Sequence, residues 1–511
     1  MCGIAVLALV VGLAGTALGQ DSGGTRPDGV DAIGTTPLHR AAEAGDTDEV
    51  TRLLAAGADV HALTRYHVSP LALAVVEGHA DVARALLSAG ADPNSRLGEG
   101  EPVLLTAARV GRVDVIRALL EAGADVNGRE RFYGQSAVMW AAIEDHAEVI
   151  ALLAGAGADV DARADVLEGE PLWRYGRDRR NGINGEALQN FNTNFSKGGL
   201  TALMYAARSG ATRAALALVE KGADIAAVDP EGFSALHLAI MNGFYDTAAA
   251  LVKAGADVNQ EVDDNSGQTP LFALVDHRSL LWVYNRPTPR PESSVTSLEL
   301  ATALLDAGAK VDARLLRGAR RPMGGGGSSL TGEGATAFLR AAVASDLPMM
   351  RLLLERGADP TVTTKRGVNA LHAAAGLDWV DNTMSTAVAL GFATEEDSIE
   401  AITLLLDRGL DVNAADEAGS TALHGAAFRG ANAVIRFLAM RGARLDAKTL
   451  PKRIPGNVND RREYVEPERT PIDLALMANP PRVSTVALLR ELMGEDPGAP
   501  LPELEGPKPA N

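Results

Sequence analysis

From about residue 35 onward, apolar positions fall into short blocks that come in pairs and carry a helical period. In the second block of each pair, aliphatic residues recur at the spacing of one helix face, as in Val82, Leu86 and Leu87 or Val115, Ile116, Leu119 and Leu120. The first block carries adjacent small residues, such as Ala41-Ala42, Ala107-Ala108, Ala141-Ala142 and Ala206-Ala207, which let one helix approach its neighbour closely. Polar punctuation frames both blocks. A Thr or Ser stands where a helix N-cap is needed, and Pro37, Pro70, Pro270 or Pro471 follows at the first helical position, where no backbone donor is required. A turn glycine (Gly45, Gly78, Gly111, Gly210, Gly243, Gly430) divides the two blocks, and the glycine of a Gly-Ala-Asp motif ends the second as a C-cap. The pattern predicts helix–turn–helix units and little strand.

The unit repeats. Thr36-Pro37-Leu38-His39 recurs in variant form from Ser69, Glu101, Ser136, Thr201, Ser234, Thr269, Thr336, Asn369, Thr421 and Thr470. Gly-Ala-Asp recurs at Gly57, Gly90, Gly123, Gly157, Gly222, Gly255 and Gly357, and weakens at Gly308, Gly409 and Gly442. The undisturbed period is 33 residues, as from Thr36 to Ser69 or Thr201 to Ser234. With both motifs in register, the stretch from Thr35 to Met493 resembles the ankyrin repeat family, in particular its exported bacterial members. The resemblance implies an all-α solenoid of about eleven stacked helix–turn–helix repeats, curved, with short β-hairpin fingers. It also implies that His39, His237, His372 and His424, with Thr36 as the type cap, serve structure by bonding the backbone of adjoining loops.

Five insertions interrupt the period. Three lengthen the finger after repeats 4, 7 and 10, so they are expected to project from one edge; two fall between the paired helices and each contains a Trp-Val pair, Trp282-Val283 and Trp379-Val380. The organisation expected is a signal peptide over 1–19, a linker over 20–34, and repeats 1–4 over 35–161. A finger insertion over 162–199 precedes repeats 5–7 over 200–313, with an internal insertion at 276–297. A Gly-rich finger insertion over 314–334 precedes repeats 8–10 over 335–447, with an internal insertion at 376–396. A third finger insertion (448–469), a C-terminal capping repeat (470–494) and a disordered proline-rich tail (495–511) complete the chain.

Composition changes this picture in two places. One cysteine, Cys2, excludes a disulfide framework, a thiolate zinc site and a CxxC redox pair, and the net charge of −18 argues against nucleic acid as a partner. The charge-free run Ile4–Leu18, with small residues at Ala17 and Gly19, reads as a removed export signal that leaves Gln20 first, in a periplasmic or extracellular protein. No basic residue precedes the run, so an N-terminal tether or a cytoplasmic chain are the alternatives. Membrane insertion of the mature chain is not expected, and a monomer is.

Candidate chemistry is sparse. His61, His67, His79, His146 and His277 are scattered without metal-ligand spacing, and one carboxylate per Gly-Ala-Asp motif falls short of a calcium site, so those aspartates are expected to brace turns. Gly324–Gly327 lacks the Gly-Lys-Ser/Thr ending of a phosphate loop. No catalytic residue, cofactor or metal is expected. The better signal is aromatic and arginine residues at finger positions: Arg65, Tyr66, Arg131, Phe132, Tyr133 and Phe233, with Trp173, Arg174 and Tyr175 in the long insertion. Such residues join large contact area to hydrogen-bonding tips. The sequence therefore reads as a non-enzymatic scaffold that binds an unidentified protein through fingers and concave surface. An exported effector acting on host proteins, or an enzyme built on the insertions, are the other readings.

Overall fold

A computed structural model describes residues 29–97, 100–166, 198–262, 266–279, 293–317, 332–377, 394–454, 464–478 and 480–509. The expected signal peptide, Trp282-Val283, Trp379-Val380 and the Gly324–Gly327 run lie outside them.

The chain divides into two compact units, Met1–Ala162 and Arg163–Asn511. The first holds four helix pairs: α1 Pro37–Ala44 with α2 Thr47–Ala55, α3 Pro70–Glu77 with α4 Ala80–Ser88, α5 Val103–Val110 with α6 Val113–Glu121, and α7 Ala137–Ile143 with α8 Ala147–Gly155. The second opens with α9 Ala202–Ser209 and α10 Thr212–Glu220, α11 Ala235–Met241 and α12 Tyr245–Lys253, α13 Pro270–Ser279 and α14 Ser297–Asp306. It continues with α15 Ala337–Val343 and α16 Leu347–Glu355, α17 Ala370–Ala375 and α18 Glu395–Asp407, α19 Ala422–Arg429 and α20 Asn432–Met440. The last pair is α21 Pro471–Met477 and α22 Val483–Met493. Within each unit, first helices pack on first helices and second on second, so a pair buries its apolar face mainly against its neighbours. The fold is an all-α repeat solenoid.

The caps form as the sequence dictates. Thr36 is extended (φ −88°, ψ 167°) and its hydroxyl accepts from the His39 backbone N–H, with Pro37 opening α1. Repeat 3 departs at Glu101. There the helix starts one residue later, after Pro102, and the Glu101 carboxylate instead accepts from Thr106 Oγ1 (2.6 Å) and pairs with Arg109 (3.2 Å).

Three staples join successive repeats. Each capping histidine spans to the next finger: His39 Nε2 donates to Val68 O (3.0 Å), His237 to Gln268 O (3.2 Å), His372 to Ala414 O (2.9 Å) and His424 to Arg469 O (3.1 Å). The Gly-Ala-Asp carboxylates brace their own turns, as Asp59 Oδ1 does by accepting from His61 N (2.9 Å) and Asp257 Oδ1 from Asn259 N (2.8 Å). An asparagine two residues further on reaches the next repeat: Asn94 Oδ1 accepts from Asp125 N (2.7 Å), and the same bond joins Asn127 to Asp159, Asn259 to Lys310 and Asn413 to Arg444. The third staple crosses the turn glycines. Gly45 is left-handed (φ +72°), and a Cβ there would stand 2.7 Å from the His79 ring, whose Nε2 donates to Glu43 O (3.1 Å). His146 lies over Gly111 in the same way. Sequence alone leaves His79 and His146 as solvated turn residues; in the fold they clamp one repeat to the next.

The fingers are narrower than the expected hairpins. Among the described residues five close with a single bridge, such as Arg129↔Ser136 or Val228↔Ser234, and others lean on the preceding finger by a backbone bond, as Arg65 N does on Ile33 O (2.8 Å). Twelve residues that also house an aspartate-braced turn leave little length for a ladder. The insertion over 448–469 does form one: β1 Lys452–Ile454 pairs antiparallel with β2 Tyr464–Glu466. The tail, expected to be disordered, adds β3 Lys508–Pro509 to the other edge of β2. Backbone carbonyls draw it there: Arg490 donates to Ala499 O (2.5 Å) and Pro500 O (2.9 Å), and Arg469 to Glu505 O (2.8 Å).

Among the described residues, repeats 7 and 8 carry the heaviest buried charge. Arg340 of α15 is fully buried and its Nε lies 2.5 Å from the buried carboxylate of Asp276 on α13. Beside it Arg278 pairs with Asp346 (2.5 Å), the N-cap of α16, and donates to Ser297 Oγ (2.6 Å). His277 is also buried here, its Nδ1 2.8 Å from the Tyr245 hydroxyl, and burial pushes that phenol up to about 12. This α13 end lacks the usual turn glycine, and the ionic groups lie where the helix continues toward the insertion.

Candidate functional site

The finger segments of the first unit hold the candidate surface. In the segment after α2, Thr64 is buried and its hydroxyl accepts from Tyr66 N (3.3 Å) and Val68 N (3.2 Å), a local turn that turns the intervening side chains outward. Leu63 and Tyr66 are 54 % and 56 % exposed. The Arg65 guanidinium lies 4.8 Å from the Tyr66 ring centroid and donates to its hydroxyl (2.6 Å). In the segment after α6, the Glu130 carboxylate accepts from the backbone N–H groups of Phe132 (2.5 Å), Tyr133 (2.7 Å) and Gln135 (3.0 Å). With its charge occupied in holding the loop, Glu130 leaves Phe132 and Tyr133 56 % and 53 % exposed. Arg131 sits over Phe132 at 5.5 Å.

The segment between them ties into the second. Arg96 donates to Gly100 O (2.6 Å) and to Arg129 O (3.2 Å), so two neighbouring fingers share one guanidinium. Among the described residues of this unit, Leu63, Tyr66, Phe132 and Tyr133 are the large apolar side chains that are exposed, and all four stand on fingers. Thus the fold brings Arg65, Tyr66, Arg131, Phe132 and Tyr133 to one class of position. Leu63 and Glu130 are additions that the search for aromatic and arginine residues passes over. Glu130 had a readable signal, a carboxylate two and three residues before the aromatic pair.

Phe233 does not belong with them. It is 5 % exposed, its ring set edge-on to His237 at 6.1 Å, because a bridged finger turns it inward against the capping histidine. It is a packing residue. Trp173, Arg174 and Tyr175 lie outside the described residues.

Acid–base chemistry finds poor footing at the buried histidines. Desolvation lowers the pKa of His237 to about 4, and that of His39, His372 and His424 in the same direction, so each stays neutral, accepting at Nδ1 and donating at Nε2. Among the described residues, no group of three His, Cys, Asp or Glu side chains could hold a metal ion, and no helix is long and apolar enough to cross a membrane.

A family model supports the repeat assignment. The family model for ankyrin repeats (3 copies) matches residues 11–97, 92–164 and 181–262. No curated protein sequence matches the chain. Among solved structures, the human ASB11 ankyrin repeat domain is 22 % identical, with 54 % of this chain and 99 % of that one covered and a TM-score of 0.38. The ankyrin repeat domain of Bcl-3, a member of the IkappaB family, is 25 % identical, with 47 % and 94 % covered and a TM-score of 0.37. Recurrent capping tetrapeptide, Gly-Ala-Asp turn, stacked helix pairs and family match agree: this chain carries ankyrin repeats, matched by the family model over residues 11–164 and 181–262.

Proposed function

We propose that this protein is a non-enzymatic scaffold that binds another protein, and that a working surface lies on the finger segments of its first unit. Ankyrin repeats are in general protein–protein interaction modules and typically non-enzymatic. One observation carries the placement: the exposed large apolar side chains described in that unit, Leu63, Tyr66, Phe132 and Tyr133, all stand on fingers held by internal turns. Aromatic side chains offered on loops of a rigid scaffold give a partner large contact area, and such loops are where binding residues concentrate. The run Ile4–Leu18 supports export, so the partner is sought outside the cytoplasm.

A photo-crosslinking amino acid placed at Tyr66 or Phe132 in the producing cell tests this reading, with Arg84 on the back of α4 as the control site. A discrete adduct from both finger positions and none from Arg84 supports it. Equal labelling from all three sites refutes it. The export reading fails if the soluble protein retains Met1-Cys2 on N-terminal mass spectrometry.

A further inference from the structure

Resting on that reading, we infer that the finger surface recognises an extended, carboxylate-bearing segment of its partner, with Arg65 and Arg131 as the groups that take the carboxylates. The first unit is acidic: residues 29–162 contain ten arginines, no lysine and twenty Asp and Glu. Three helical arginines there pair with carboxylates of their own repeat, Arg52 with Glu49 (2.5 Å), Arg84 with Asp81 (2.5 Å) and Arg109 with Glu101 (3.2 Å), while Arg40 donates to the backbone carbonyls of Thr35 and Gly29. Arg65 and Arg131 on the fingers differ from these three. Arg65 and Arg131 are exposed and lie over aromatic rings, and no carboxylate of the described residues forms an ion pair with either.

Nearby acids are already engaged. Glu130 accepts three backbone N–H groups of its own loop. Asp31, on the finger next to Arg65, accepts from Ile33 N (3.0 Å) and Thr35 N (2.8 Å). A guanidinium over a ring keeps N–H groups for a carboxylate, Arg65 with one terminal N–H already given to the Tyr66 hydroxyl, and the ring removes part of its hydration cost beforehand. At physiological salt, charges beyond about 8 Å are largely screened, so the acid content of the unit as a whole does not cancel this local character.

Spacing sets the shape of the ligand. Arg65 and Arg131 stand on fingers two repeats apart, with the Arg96 finger between them. Helix layers step by about 8–10 Å, which puts the two guanidinium groups roughly 16–20 Å apart. Extended chain advances about 3.3 Å per residue, so carboxylates five or six residues apart would engage both. Tyr66, Phe132 and Tyr133 would then cover the apolar residues in between.

The test uses the full chain and synthetic twelve-residue peptides with blocked ends and a neutral dye, read by fluorescence anisotropy at 50 mM salt. One carries two Glu six residues apart around Leu and Ser, one two Glu side by side, and one Gln at both spaced positions. The spaced-Glu peptide should bind at least tenfold more tightly than the Gln peptide, with the advantage shrinking at 300 mM salt. The double variant R65Q/R131Q should erase that advantage, whereas R84Q should keep it. Equal binding of Glu and Gln peptides, indifference to R65Q/R131Q, or no binding of any peptide overturns the inference. Those results leave the finger reading to stand or fall on the crosslinking result. Spaced-Glu binding that is unchanged by combined Tyr66→Ala, Phe132→Ala and Tyr133→Ala overturns both.

Discussion

Replacing Arg340 by methionine removes one half of a buried ion pair while nearly preserving side-chain length. Arg340 is fully buried, the Asp276 side chain is 3 % exposed, and the two stand 2.5 Å apart. Two buried charges held this closely roughly offset their own desolvation, so the pair adds little net stability, but a single charge left behind has no such offset. Arg340→Met should therefore cost about 3–5 kcal/mol, and Asp276→Leu a similar amount. The double variant should recover most of that loss, since a Met–Leu contact fills comparable volume without a charge to desolvate. The Arg278–Asp346 pair lies beside this one and can shift toward an unpaired charge, so hydrogen exchange across 270–279 and 337–343 should accompany urea unfolding followed by circular dichroism. Repeat arrays can unfold in parts, and exchange then reports which helices opened. Single losses below about 1 kcal/mol, or a double variant as damaged as the sum of the singles, would refute the reasoning.

Further outcomes follow from the same structure. His237 binds its proton at about 4 in the fold against roughly 6.5 in an unfolded chain, so the unfolded state gains protons first. The stability it contributes is complete above pH 6.5 and declines as pH falls to about 4, by up to about 3 kcal/mol; an NMR titration of folded His237 with a midpoint near 6.5 would contradict this. Leu119→Ala and Leu353→Ala, both at fully buried positions, should each cost about 2–5 kcal/mol, whereas Met440→Ala at a 77 % exposed site should stay within about 0.5 kcal/mol in denaturant titrations. Gly57→Ala and Gly45→Ala both force a non-glycine residue into left-handed backbone, at about 1–2 kcal/mol. Only Gly45 also faces the His79 ring, so its substitution should be the more damaging, and equal melting temperatures would argue against the His79 clamp.

The sequence determined the unit and its register. A Thr cap before Pro37, an alanine pair, a turn glycine and a Gly-Ala-Asp stop are local instructions, each satisfied by bonds within a few residues, and so they read correctly without a partner in view. Long-range events were different. Nothing in the composition of a finger separates Phe233, turned against His237, from Phe132, turned to solvent, because the choice depends on which neighbour the loop meets. His79 and His146 looked like ordinary turn residues until the preceding glycine turn was packed beneath them. The tail had the composition of a solvated segment, yet two arginines reaching its carbonyls and an open edge of β2 fixed its course. Asp276 and Arg340 are 64 positions apart, and only stacking of successive repeats brings them within 2.5 Å. Periodicity can specify how a repeat is built; which groups meet between repeats is settled only when the repeats stack, because burial and desolvation depend on neighbours that are distant in sequence.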